Sequence, residues 1–141
     1  MSDALQSWYS LPELMVLANR AAVLEGTIAL TQFTRLKELL GSSGGEATAR
    51  LSLRHSHDDM LQIELQYAAR LELLCQRCLE PLTRLVDERI DFAVAETEES
   101  LAVLPQGMEL IALDGDRFQP ATLIEDELIM SLPLVPRHGD D

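Results

Sequence analysis

Apolar and polar side chains alternate with a period of two through the middle of this chain. Ala47, Ala49, Leu51 and Leu53 are separated by Thr48, Arg50 and Ser52, and Leu61, Ile63, Leu65 and Tyr67 by Gln62, Glu64 and Gln66. Such alternation places every second side chain on one face of a β-strand. The polar stretch His55-Ser-His-Asp-Asp between the two runs predicts a hairpin. The alternation continues through Ala69, Leu71 and Leu73, and resumes after Pro81 with Ile90, Phe92 and Val94 on one face, so Cys75 and Cys78 fall at a second hairpin tip. Residues 23–30 predict an earlier strand, residues 97–107 an acidic loop, and residues 108–113 a short last strand closed by the turn dipeptide Asp114-Gly115.

A period near 3.6 replaces the alternation in three places. Leu11, Leu14, Met15, Leu17 and Ala18 recur at helical spacing behind Ser10 as a cap, with Pro12 tolerated in the first turn. Phe33, Leu36, Leu39 and Leu40 share a face in residues 31–40, and Gly41-Ser-Ser-Gly-Gly ends that helix. Ile124, Leu128 and Leu132 predict a final helix, with Thr122 and Glu125 as its capping box and Pro133 as its stop. The expected fold is α+β: a single domain on an antiparallel sheet of about five strands, with two or three flanking helices. Residues 1–22 form a helical lead segment, 23–138 the domain and 139–141 a tail.

With 141 residues, 47% of them apolar and only 4% aromatic, the chain can bury one largely aliphatic core. No run approaches the roughly 18 apolar residues a membrane span needs. Asp3 and Glu13 spoil a secretory signal, so a cytoplasmic location with reduced thiols is expected, with no membrane partner. Charge restricts function more. Eleven Lys and Arg against 24 Asp and Glu give −13, of which residues 71–141 carry −11. A surface of that sign repels phosphate backbones and attracts cationic partners, which argues against direct nucleic-acid binding.

Cys75 and Cys78 stand three residues apart at a turn, the spacing with which two thiolates reach one tetrahedral metal such as zinc. His138 is the histidine placed to fold back as a third ligand, which leaves the site incomplete. A redox pair and two reduced thiols in a turn are the alternatives. His55 and His57 with Asp58 or Asp59 could hold a divalent cation or form a polar hairpin tip. Glu96, Glu98 and Glu99, like Asp114 and Asp116, read as a solvated acidic face. Glu125, Asp126 and Glu127 either meet the dipole of the final helix or present an acidic surface to a basic protein. No Gly-rich phosphate loop, nucleophile elbow or Ser/His/Asp set stands out, so no enzyme is expected and no cofactor beyond possible zinc.

Leu73-Leu-Cys-Gln-Arg-Cys-Leu-Glu-Pro-Leu, followed by an acidic strand and loop and then Ile124-Glu-Asp-Glu-Leu-Ile-Met-Ser-Leu-Pro-Leu-Val-Pro-Arg-His, resembles the bacterial YceD family, the large ribosomal RNA subunit accumulation proteins. The resemblance covers roughly residues 20–138. It implies a cytosolic, non-catalytic factor needed for accumulation of 23S ribosomal RNA during ribosome assembly. Relatives continue past the Pro-x-His element with another Cys and a basic tail, so truncation after Asp141 is expected. Combined with the charge, the resemblance implies basic ribosomal or assembly proteins as partners, met by Glu96, Glu98, Glu99 and Glu125, Asp126, Glu127.

Overall fold

Three long strands carry the alternation. In the computed structural model, which describes residues 3–41, 44–55, 61–75, 77–94, 108–111 and 117–132, the order is α1 (Asp3–Gln6), β1 (Tyr9–Ser10), α2 (Leu11–Asn19), β2 (Val23–Ala29), a 3-10 turn (Leu30–Gln32), α3 (Thr34–Lys37), β3 (Glu46–His55), β4 (Leu61–Leu74), β5 (Pro81–Val94), β6 (Glu109–Ile111), β7 (Arg117–Phe118) and α4 (Pro120–Met130). The strands β2-β3-β4-β5-β6 form one sheet in that order, and β1 pairs with β7 in a two-stranded ribbon. This is the α+β fold that the patterns predict. The final pairing differs: β6 runs parallel to β5, with Phe92 opposite Glu109, whereas the other three are antiparallel. Alternation reports which face a strand buries and carries no information on its direction.

One face of the sheet is the core. Ala47 to Leu53 on β3 and Leu61 to Leu73 on β4 are buried at every second position. They pack with Leu14 and Ala18 of α2, Leu5 of α1, Leu36 of α3, and Ile124 and Leu128 of α4. Burying each such leucine contributes roughly 1.5–3 kcal/mol, which is how an aromatic-poor chain assembles its core. The opposite face carries paired polar side chains, among them Arg50 across from Glu25 and Arg89 reaching Glu64.

The first predicted helix starts as expected. Ser10 Oγ accepts the Glu13 N–H at 3.3 Å, and Glu13 Oε1 accepts the Ser10 N–H at 3.0 Å, a complete capping box. The second does not span residues 31–40. Phe33 takes an extended conformation (φ −91°, ψ 91°) and buries its ring, splitting the segment into the 3-10 turn and the single-turn α3. Leu39 consequently lies 52% exposed rather than on the core face. The predicted Thr122/Glu125 capping box does not form either. α4 begins at Pro120 behind Gln119, Thr122 lies inside the first turn with its hydroxyl donating to Gln119 Oε1 at 2.6 Å, and Glu125 is engaged elsewhere. The helix ends at Met130 with Ser131 as its C-cap; Pro133 lies outside the described residues.

Gly41 marks where the chain leaves α3 and passes over the β4–β5 hairpin. Its N–H donates to Glu72 O at 2.7 Å, and a Cβ there would stand 3.1–3.3 Å from backbone atoms of Leu73 and Leu74. Those neighbours are main-chain atoms of a paired strand and yield little. Gly41→Val should lower the unfolding free energy by about 1–3 kcal/mol, read from urea denaturation, while Leu39→Ala at its exposed neighbour should change it by under ~1 kcal/mol.

Candidate functional site

Glu125 and Asp126 are drawn inward by a helix 90 residues earlier. The N-cap of α3, Phe33, has no side chain to receive the free amides of the first turn. Glu125 receives them. Its Oε2 accepts the N–H of Arg35 at 2.9 Å and of Leu36 at 3.1 Å, and its Oε1 accepts Arg35 Nε at 3.3 Å and Nη2 at 3.1 Å. The same Nη2 donates to Asp126 Oδ1 at 2.6 Å. Glu125 is 8% exposed, so its charge is desolvated and met by an ion pair and two helix amides together.

Glu127 faces the other way, into a cleft of about 510 Å³ between α4 and the sheet edge at β6. Phe92, Leu110, Ile111, Leu123, Ile129 and Met130 supply its apolar walls, and Arg35, Glu109, Asp126 and Glu127 its charges. Glu127 is 5% exposed, and no hydrogen bond or ion pair reaches its carboxyl among the described residues. Burial, and then the negative charges of Glu109 and Asp126, push its carboxyl up to about 7. Tyr67 belongs to the same group. Its phenol is pushed up to about 12 by burial and by the charges of Glu127, Glu88 and Glu109. Glu88 stands directly across from Tyr67 in the β4–β5 register. Carboxylates from β5, β6 and α4 thus converge on one side of the core, and Arg35, the cation lining the cleft, is already held by Glu125 and Asp126.

Of the acidic residues lining this cleft, the sequence singled out Asp126 and Glu127 and missed Glu109; it also missed Tyr67, whose phenol feels Glu127, and Glu88 across from it. Strand parity could have found Glu88, which shares the face of Val86 and Ile90 and is therefore a carboxylate pointed toward the apolar side. Glu96, Glu98 and Glu99 lie outside the described residues. So do His57 and His138; His55 is half-buried at the end of β3.

The cysteine turn has a defined geometry. Cys75 N–H donates to Glu80 O at 2.9 Å, Leu79 N–H donates to Cys75 O at 2.8 Å, and Leu79 adopts a left-handed φ of 60°. Cys75 is fully buried and Cys78 exposed. Among the described residues no cluster of three or more His, Cys, Asp or Glu is arranged to hold a metal ion. The cleft combines apolar walls with carboxylates that, among the described residues, outnumber its cation, Arg35.

Two outcomes test this geometry. Glu125→Ala strands two helix amides and a guanidinium and should cost about 2–4 kcal/mol in chemical denaturation, whereas Asp126→Asn, at a half-exposed ion pair, should cost under ~1 kcal/mol. For Glu127 the folded carboxyl titrates above its unfolded value, so the native state binds more protons between pH 4.5 and about 7. Its contribution to stability is full below pH 4.5 and is lost as pH rises through about 7. Glu127→Gln should therefore melt higher than the unsubstituted protein at pH 8, and the gap should close as pH falls to 4.5 and below, as scanning calorimetry would show.

The cleft lies almost wholly within the part of the chain that matches a known family. The family model for the large ribosomal RNA subunit accumulation protein YceD matches residues 63–141, which contain Tyr67, the cysteine turn, β5, β6 and α4. The chain is also 29% identical over 119 residues to the large ribosomal RNA subunit accumulation protein YceD of Haemophilus influenzae, covering 82% of this chain and 67% of that relative. No solved structure matches. With more than half of its length matched, including both motifs and the strands that join them, the chain belongs to the YceD family.

Proposed function

We propose that this protein is a non-catalytic ribosome-biogenesis factor that supports accumulation of large-subunit ribosomal RNA by binding basic ribosomal or assembly proteins through its acidic surface in the cytosol. Family membership carries the reading: the matched family and the Haemophilus relative both bear the description of large ribosomal RNA subunit accumulation. The charge supports the mode of action. A chain of net charge −13 is repelled by RNA phosphates at long range and attracts Arg- and Lys-rich proteins, whose approach it accelerates. The acidic cleft adds a local reason, because its carboxylates, Glu109 of β6 and Asp126 and Glu127 of α4, lack a full complement of cations among the described residues.

Removal of the gene from its own bacterium should lower 23S relative to 16S ribosomal RNA, and reintroducing the protein should restore the ratio. An unchanged ratio would refute the biological role. Pulldown with proteins extracted from large subunits tests the mechanism separately: capture should fall steeply between about 0.05 and 1 M salt, where the screening length shrinks to roughly 3 Å. Capture that persists unchanged at the higher salt, or equally tight binding to naked ribosomal RNA, would contradict recognition by charge.

A further inference from the structure

Resting on the proposal that the protein works by binding a basic partner, we infer that the cleft between β6 and α4 is the anchor site for one arginine or lysine side chain of that partner, its stem lying along Phe92, Ile111 and Ile129 and its charged head meeting Glu109 and Glu127.

Two independent observations lead there. The cleft is a real space, about 510 Å³, large enough for a long side chain and its immediate neighbours. Into it points Glu127, 95% removed from solvent by a relative exposure of 5% and without a described partner. A buried carboxylate in that situation is costly unless something cationic completes it. The groups facing it worsen the deficit: Glu109 from β6 and Asp126 on α4 are acidic, and Tyr67 from β4 is a neutral phenol. Arg35 from α3 is spent on Glu125 and Asp126. A protein side chain fits better than a bare ion because the walls are mainly apolar. Leu110 and Met130, 45% and 65% exposed at the rim, offer contacts to residues flanking the anchor. Entry of the cation favours the ionised form of Glu127, so binding expels a proton at mildly acid pH.

The probe is an acetylated, amidated nonapeptide alternating arginine with leucine, titrated into the full chain at low salt by fluorescence anisotropy. Glu109→Gln with Glu127→Gln should weaken binding about tenfold or more. Glu46→Gln with Glu72→Gln, which removes the same charge from the opposite face of the sheet, should change it by less than about twofold. Affinity of the unsubstituted protein should rise roughly tenfold from pH 6 to pH 8, and Glu127→Gln should abolish that rise. Replacing arginine by citrulline should eliminate binding. Equal loss in the two double variants, or a pH profile untouched by Glu127→Gln, would overturn the anchor site while leaving general attraction by the acidic surface standing. Failure of the unsubstituted protein to bind the peptide at all would remove both.

Discussion

The most consequential contact in this fold is a carboxylate acting as a helix cap from the far end of the chain. Glu125 receives the first amides of α3 and the guanidinium of Arg35 in one buried cluster. A helix of four residues is too short to hold itself, since nucleation fixes several residues for a single hydrogen bond. α3 therefore depends on α4, and the 3-10 turn and Phe33 that precede it are held with it. The same contact sets the rotation of α4 about its axis. With Glu125 turned toward α3, Ile124 and Leu128 face the core and Glu127 is carried to the cleft.

That rotation produces the unusual electrostatics of the site. Three successive acidic residues cannot point the same way on a helix, because each step turns about 100°. Glu125 and Asp126 share Arg35; among the described residues Glu127 has no equivalent and is brought against Glu109 and Tyr67. The penalty appears as a carboxyl held up at about 7 rather than as a broken fold. A group poised there changes charge with small changes in its surroundings, a common property of binding and catalytic positions.

The rest of the surface distributes charge differently. On the open face of the sheet Arg50 meets Glu25, Arg89 meets Glu64, and Arg54 donates to Gln62, so cations and acceptors alternate across neighbouring strands. Exposed pairs of this kind add little stability, but they offset part of the negative charge on that face. Arg117 is placed 4.9 Å over the Trp8 ring beside the small β1–β7 ribbon. Glu109, Asp126 and Glu127, by contrast, line one cleft at β6 and α4, within the region matched to the YceD family.

Strand parity was fully legible in the sequence, because side-chain alternation is a local property: residues 47–53 and 61–73 bury the positions that their pattern names. The Ser10 cap was legible for the same reason, its partner Glu13 lying three residues away. The broken helix at Phe33 was not, since burying an aromatic ring in the assembled core outweighed a weak local preference. Nor was the role of Glu125, whose local spacing from Thr122 suggests a capping box while its actual partners are 89 and 90 residues away. The sequence alone determined that the C-terminal half is anionic and that the sheet has one apolar face. Only the tertiary structure decided which carboxylates are neutralised internally and which stay uncompensated, because that depends on distances between elements that no local pattern encodes.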